Sequence, residues 1–444
     1  MRLEKETKKS VAIIGCGAAG LAALRHFSVE GSQFTCVCYE QTDNVGGTWV
    51  YTDNVGKDKY GLPVHSSMYK SLRTNLPKEI MELPGFPHKG PEDKSYVAAN
   101  EMLKYLEDYA DHFDLKKHIK FHHHVKNISP LEGDRWLVTA INLQDNITET
   151  SEFDGVIVCI GNYSNPVIPE VPGIEKFRGM KIHSHDYRDS SVFKDMSTVV
   201  IGCGPSGLDI SFDIAKVAGK VYLSHHNQRV KNMKCPPNMV QKVDIQEVVE
   251  NGVLFKDGSY EQVDSILYCT GYTYKYPFLS SECGIRVENN NVKWLFKHFV
   301  NIEHPTMYFI GIPTNTTGFW MFDLQVRCAK TFLEGKAKLP SKEEMLEDTR
   351  RDVESRLASG LRPKELHMMG RRSMEYYDSL SSLSGLDSVP PVVLQIYFDG
   401  FDRFMCDFSH FREDKYKLLD KDHYMVQFPN EVEPIMKKQE IASH

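Results

Sequence analysis

Four apolar residues, Val11-Ala12-Ile13-Ile14, run without a polar break into Gly15-Cys16-Gly17-Ala18-Ala19-Gly20, and the LAALRHFSVEG that follows has the composition of a helix. A short apolar run bounded by glycines is the pattern of a parallel strand covered on both faces. The stretch therefore reads as strand, tight turn, helix. The next apolar stretch, FTCVCYE, reads as a second strand and ends in Glu40. The same arrangement returns in TVVIGCGPSG, where Gly202, Gly204 and Gly207 separate an apolar run from the helical LDISFDIAKVAG, with KVYLSHH as the following strand. Between the two units, FDGVIVCIG ends a strand at Gly161 and a crossing with Pro166, Pro169 and Pro172 follows. Beyond the second unit, SILYCTG ends a strand at Gly271, and MYFIGIP (307–313) reads as a strand that rejoins the first sheet. The expected fold class is α/β, with two Rossmann-like domains and the second inserted within the first.

Each glycine in such a turn has a task. The first permits the tight turn, the second lets the backbone approach a pyrophosphate, and the third lets helix and strand pack closely. The helix N-terminus adds free N–H groups and a positive dipole for an anion. Glu40 lies about 20 residues past Gly20, where a carboxylate can hydrogen-bond the ribose hydroxyls of an adenosine. The second unit reverses this polarity. The same count past Gly207 lands on Asn227, and no Asp or Glu occurs between Asp213 and Asp244, whereas His225, His226, Arg229, Lys231 and Lys234 do. Cations there favour a 2′-phosphate that an acid would repel, so the second site is expected to take NADP, with Arg229 as the leading phosphate ligand. Two dinucleotide sites of opposite ribose chemistry point to a resident flavin and an exchanging nicotinamide, with hydride transfer between them. The expected domains are FAD-binding over 1–165 and 310–444, the latter including a helical C-terminal region, and NADP-binding over 166–309.

Composition excludes several other classes. The 444 residues are 41% apolar and 25% charged, typical of folded protein. Lys and Arg number 53 against 60 Asp and Glu, a net charge of −7, so nucleic acid is not expected as a partner. No apolar run approaches the roughly 18 residues of a membrane-spanning helix, and the start, MRLEKETKKS, is charged where a signal peptide is apolar. The expected location is the cytoplasm, with secretion the alternative had a leader been trimmed. Ten scattered cysteines without a CxxC or CxxxxC read as buried thiols, not as a redox dithiol or a zinc site.

Three further stretches identify a family. Gly46-Gly47-Thr48-Trp49, then HSSMYKSLRTNLPKEIMELPGFP (65–87), and FRGMKIHSHDY (177–187), which fits FxGxxxHxxxY, together resemble the flavin-containing monooxygenases. The resemblance extends over nearly the whole chain, including GFWMFDLQVRCAKTFLEG near 318–335, and is strongest to short insect members that include alkaloid N-oxygenases. Within the fingerprint of Phe177, Gly179, His183 and Tyr187, the last position is Tyr where the related Baeyer–Villiger enzymes normally carry Trp. The resemblance implies FAD contacts from Gly15, Cys16, Gly17, Ala18, Ala19, Gly20, Glu40, Gly47, Thr48 and Trp49, with Asn75 and Leu76 beside the isoalloxazine and Gln325 approaching from the late segment. It implies NADP contacts from Ser206, Gly207, Leu208 and Asp209, and from Thr74 and Asn75 near the nicotinamide. The polar ending EVEPIMKKQEIASH differs from the hydrophobic anchor of vertebrate members and implies no membrane anchor.

The implied chemistry is NADPH- and O2-dependent. Reduced flavin adds O2 at C4a, and a small nucleophile, a tertiary amine such as a plant alkaloid or a sulfide, attacks the terminal oxygen of the resulting hydroperoxide. The protein then supplies no nucleophile and no metal; it excludes water and provides fixed hydrogen bonds, with Asn75 as the catalytic candidate. Rival readings are a Baeyer–Villiger oxygenase, a nucleotide-binding redox sensor, and a disulfide reductase, which needs a close Cys pair that the chain lacks. Association into a homo-oligomer is left open. Three adjacent histidines in FHHHV (121–125) would alternate across a strand and read as a solvated strand. SKEEMLEDTRRDVESR (341–356) reads as an exposed helix with i,i+4 ion pairs.

Overall fold

In the computed structural model, which describes residues 8–91, 93–429, 431 and 433–438, the chain enters on β1 (Lys9–Ile14), whose last four residues are buried. The charged start at 1–7 and the end of the polar tail at 439–444 lie outside the described residues. Helix α1 (Ala18–Phe27), β2 (Phe34–Tyr39), α2 (Ala99–His112) and the short β3 (Ile119–Lys120) follow. An antiparallel meander, β4 (His123–Leu131), β5 (Arg135–Asn142) and β6 (Ile147–Phe153), precedes β7 (Gly155–Val158). Strand β1 pairs in parallel with β2 on one side, Val11 opposite Cys36, and with β7 on the other, Val11 opposite Gly155. A strand in that central position has both faces covered, which is why its sequence is apolar without alternation.

The chain then builds a second sheet from β8 (Met180–His183), β9 (Ser197–Ile201), helix α3 (Pro205–Ala215), β10 (Lys220–Ser224) and β11 (Met239–Lys242). After an antiparallel sheet of β12 (Ile245–Val249), β13 (Gly252–Phe255) and β14 (Tyr260–Gln262), β15 (Ser265–Tyr268) completes it in the order β11-β10-β9-β15-β8, every pair parallel. A hairpin of β16 (Arg286–Glu288) and β17 (Asn291–Lys293) leads to β18 (Leu295–Phe296), β19 (Val300–Asn301) and β20 (Met307–Phe309). Strand β20 lies parallel to β7, with Met307 opposite Val156, so the first sheet reads β18-β19-β20-β7-β1-β2-β3. The fold is α/β with two Rossmann-like domains, the second inserted within the first. The returning strand is shorter than the apolar run MYFIGIP, because Gly311 at φ +89° turns the chain out of the sheet.

The remainder is helical: α4 (Gly318–Leu333), α5 (Lys342–Ala358), α6 (Ser373–Ser384) and α7 (Pro391–Cys406), closed by the antiparallel β21 (Lys415–Leu418), β22 (His423–Gln427) and β23 (Ile435–Lys438). Helix α4 packs on α1, and the contact contains a buried carboxylate: Asp323 takes His26 Nε2 at 2.6 Å and Arg327 Nε at 2.7 Å. Helix α5 starts from a reciprocal cap, the Ser341 hydroxyl accepting from the Glu344 N–H, and carries the i,i+4 pairs Glu347–Arg351 and Arg350–Glu354 on its exposed side. One apolar cluster runs from Val11 and Leu21 of the first sheet and its helix through Tyr187 to Val200 and Leu208 of the second. The two domains therefore share a core. No helix among the described residues is long and apolar enough to cross a membrane.

Candidate functional site

The first glycine turn leaves no room for side chains on its protein side. Gly15 adopts φ +92°, and a Cβ there would lie 2.8 Å from the Cys159 carbonyl oxygen; a Cβ on Gly20 would lie 2.0 Å from the Gly15 carbonyl oxygen. Gly17 is different. It caps α1 with φ −74°, and a Cβ there would meet only Gly47, its Cα at 3.5 Å and its N at 3.9 Å. Gly47 in turn approaches Gly17 so closely that its own Cβ would stand 2.9 Å from the Gly17 Cα. The Gly46-Gly47 bend is thus laid over the first turn and held by the Gly46 N–H on the Cys16 carbonyl at 3.0 Å.

Glu40, buried at the end of β2, fixes the same turn. One carboxylate oxygen accepts the Cys16 N–H at 2.8 Å, and the other accepts the Thr42 N–H at 2.9 Å and hydroxyl at 2.8 Å. An ionised carboxylate has about four acceptor positions, so Glu40 retains capacity for a ribose hydroxyl. Helix α1 has neither a side-chain cap nor an acid in its first turn. Its N-terminal N–H groups carry no side-chain acceptor among the described residues, and the small Ala18 and Ala19 add no bulk, which fits a pyrophosphate. Trp49 is half-buried against the core, and the Thr48 carbonyl accepts the Ser66 hydroxyl at 2.8 Å.

The second turn repeats the geometry. Gly202, at φ +101°, would place a Cβ 2.5 Å from the Cys269 carbonyl oxygen, and Gly207 would place one 2.0 Å from the Gly202 carbonyl oxygen. Gly204 caps α3 without a side-chain cap and faces open space, with nothing within 4 Å of its Cβ position; Pro205 opens the helix, followed by half-buried Ser206 and buried Leu208. Beyond β10 the two histidines are engaged, His225 Nε2 with Gln241 Oε1 at 2.9 Å and His226 Nδ1 with Asp244 Oδ1 at 3.1 Å. Arg229 is exposed on a short turn, its N–H on Asn227 Oδ1, and its guanidinium has no partner among the described residues.

The segment 65–76 joins the two turns. Tyr69 donates to Asp209 of α3, and Ser71 donates to Asp213 Oδ2 at 2.6 Å. The same Asp213 oxygen accepts the Tyr187 hydroxyl at 2.7 Å. The fingerprint therefore acts as scaffold: Phe177 is core, a Cβ on Gly179 would stand 2.3 Å from the Asp264 carbonyl oxygen, and Tyr187 ties the crossing to α3. Arg188, next in sequence, is buried and donates to the carbonyls of Thr52, Asn54, Ser66, His185 and Tyr187. His183 ends β8 with Nδ1 accepting the His185 N–H at 3.0 Å and a buried Nε2 without a partner among the described residues. Burial first, and His185 second, hold His183 down at about 4, so the imidazole is neutral at neutral pH.

Thr74 is buried with its N–H on the Val97 carbonyl at 2.8 Å and its hydroxyl accepting the Val97 N–H at 3.1 Å. Asn75 follows it exposed, its side chain unbonded to the described residues, and Leu76 is half-buried. Gln325 is fully buried, accepting the Gly311 N–H at 2.9 Å and donating to the Tyr376 hydroxyl at 2.7 Å; it shapes the loop after β20. Sequence spacing could not have paired Tyr69 with Asp209 or Ser71 with Asp213, nor brought Arg412 to this junction, because the partners lie on distant stretches of the chain. The FHHHV histidines separate: His122 sits in a turn at φ +57°, His123 turns to the Phe121 carbonyl, and His124 to Gln41. A cavity of about 410 Å³ between β17–β18 and α5–α6 shares no residue with either turn.

The family model described as flavin-binding monooxygenase-like matches residues 8–234 and 227–400. Flavin-containing monooxygenase FMO GS-OX5 of Arabidopsis thaliana is 38% identical over 94% of this chain and 93% of its own length. Senecionine N-oxygenase of the insect Tyria jacobaeae is 32% identical over 94% and 92%. Among solved structures, S-allyl-L-cysteine S-oxygenase from Allium sativum superposes with a TM-score of 0.85 at 32% identity, covering 91% of this chain and 95% of that one.

Proposed function

The chain belongs to the flavin-binding monooxygenase-like family, as a flavin-dependent monooxygenase, and we propose that it oxygenates nitrogen or sulfur in small nucleophiles using NADPH and O2. The substrates are tertiary amines, plant alkaloids among them, or sulfides. One oxygen atom of O2 goes to the substrate lone pair; the other leaves as water with the hydride of NADPH and a proton from solvent. FAD, when bound, carries the two electrons from NADPH to O2 and delivers the oxygen atom. The first sheet, which β18–β20 rejoin already at 295–309 and not from 310, holds the FAD with the elements packed on it, and the inserted second sheet of β8–β11 and β15 holds the NADP.

The observation that carries this reading is the junction itself. The segment with Thr74 and Asn75 is bonded to α3 of the second turn, while Ser66 and Gly47 of neighbouring stretches lie on the first. Gly17 and the N-terminus of α1 receive the FAD pyrophosphate, Glu40 its ribose, and Gly204 with Ser206 the NADP pyrophosphate. Arg229, with no carboxylate partner among the described residues, receives the 2′-phosphate. The Asn75 amide donates a hydrogen bond at the oxygen-transfer site, and Leu76 and Trp49 exclude water there. None of these residues forms a bond to the substrate, so selectivity rests on access.

Both the senecionine N-oxygenase and the S-allyl-L-cysteine S-oxygenase act on nucleophilic heteroatoms by name, which supports N- or S-oxygenation over ketone chemistry. The test is incubation of the purified enzyme with NADPH, air and, in parallel, a tertiary amine, a thioether and a cyclic ketone. N-oxide or sulfoxide formation supports the assignment. A lactone from the ketone, with neither oxide formed, identifies a Baeyer–Villiger enzyme, and no oxygenated product at all identifies a nucleotide-binding sensor.

A further inference from the structure

Arg412 reaches the junction from the short turn Phe411–Glu413, between α7 and β21. Its guanidinium spends three nitrogens on three acceptors: Nη1 on Asp209 Oδ1 at 2.6 Å, Nε on the Thr74 carbonyl at 3.0 Å and Nη2 on the Arg73 carbonyl at 3.3 Å. The other Asp209 oxygen accepts the Tyr69 hydroxyl. Arg412 and Asp209 are both largely shielded from solvent, at 17% and 15% side-chain exposure, and the Phe411 ring lies 4.8 Å from the guanidinium. A planar fork can hold a carboxylate and two carbonyls at once; an ammonium on a flexible stem cannot reproduce that geometry.

The Thr74 carbonyl belongs to the peptide that begins Asn75. Because a peptide is planar, fixing that carbonyl fixes the orientation from which the Asn75 side chain departs. The Thr74 N–H and hydroxyl are already bonded to Val97, whereas the Asn75 side chain is exposed and has no partner of its own among the described residues. We infer that Arg412 is a positioning residue: it sets the Thr74–Asn75 peptide against the nicotinamide-side helix α3, and so decides how much reducing power reaches product and not H2O2. This inference rests on the role proposed above for Asn75.

The test uses the holoenzyme with NADP+ bound and three variants, Arg412→Met, Arg412→Lys and Asn75→Ala. Amide hydrogen exchange at Thr74 and Val97 is read alongside flavin content, the KM for NADPH, and H2O2 formed per NADPH. Arg412→Met is expected to keep its flavin, to speed exchange at both amides by about tenfold, and to raise the H2O2 fraction severalfold. Arg412→Lys retains the ion pair with Asp209 and is expected to keep the parent KM for NADPH while its H2O2 fraction stays high, a split that loss of fold would not give. Should Arg412→Met not fold, Arg412→Lys carries the test. Parent-like exchange with parent-like coupling in either Arg412 variant overturns the inference. Unchanged coupling in Asn75→Ala beside faster exchange in an Arg412 variant overturns the role of Asn75 and leaves the tie standing.

Discussion

Replacing Gly17 by Ala separates what the first turn does for the fold from what it does for the cofactor. The position has φ −74° and ψ −168°, which any residue adopts, and its Cβ would touch only Gly47, the nearest atom being the Cα at an ordinary 3.5 Å. Loss of a glycine N-cap to alanine costs about 0.5–1 kcal/mol, so the variant folds. On the placement proposed above, the same methyl stands where backbone and pyrophosphate approach. Losing two charge-assisted hydrogen bonds from the helix N-terminus, about 1.5–3 kcal/mol each, weakens FAD binding by roughly 10²–10⁴-fold. Gly17→Glu adds a like charge and abolishes retention outright. Gly20→Ala is the control: its Cβ would fall 2.0 Å from the Gly15 carbonyl oxygen, and the forced shift costs about 3 kcal/mol or more of stability with or without flavin. The assay compares flavin absorbance per protein, the FAD Kd by fluorescence, and urea unfolding of flavin-free protein. A folded Gly17→Ala with the parent's Kd for FAD would refute the placement of the pyrophosphate.

Three further outcomes follow from the site. Arg229→Ala should raise the KM for NADPH at least about tenfold, the value of one charged contact, and leave that for NADH unchanged; equal effects on the two remove Arg229 from the 2′-phosphate. Asn75→Ala should retain FAD and continue to oxidise NADPH, but divert it to H2O2, so stoichiometric product formation by this variant contradicts the role given to the amide. His183, held at about 4 against an ordinary value near 6.5, binds its proton more readily when unfolded, so stability is full above about 6.5 and declines as pH falls toward 4. At about 1.4 kcal/mol per pH unit this amounts to about 3 kcal/mol, and His183→Asn should flatten the acid limb of urea stability by about that much; an unchanged slope shows that His183 is not the group responsible.

The parts of this molecule legible in its sequence are those whose causes are local. Gly15-Cys16-Gly17 and Gly202-Cys203-Gly204 announce their turns because strand, glycines and helix are contiguous, and Glu40 follows at the distance that one helix and one strand impose. The run of cations after β10 is legible through charge, and the structure distinguishes its members: the His225 and His226 imidazoles are bonded to Gln241 and Asp244, whereas the Arg229 guanidinium has no partner among the described residues. The meander carries its own period of two, with Trp136, Val138 and Ala140 buried along β5, but nothing in that alternation says which strands it neighbours. The tie across the junction is illegible for a different reason. Arg412 stands 203 residues from Asp209 and 338 from Thr74, and no spacing rule connects residues that only tertiary packing brings together. Gln325 is placed by contacts that the motif around it does not announce: its amide accepts from Gly311 and donates to Tyr376, which orders the loop after β20.

The central claim is that the two cradles exist to move electrons from NADPH to O2 and one oxygen atom to a nitrogen or sulfur. The direct measurement is a rapid-mixing experiment in which NADPH-reduced enzyme meets isotopically labelled O2 in the presence of a tertiary amine, with product, label and H2O2 quantified against NADPH consumed. The account predicts one labelled oxygen in the N-oxide for each NADPH, with little H2O2. Consumption of NADPH that ends wholly in H2O2 while NADP+ remains bound, for amine and thioether alike, would contradict it.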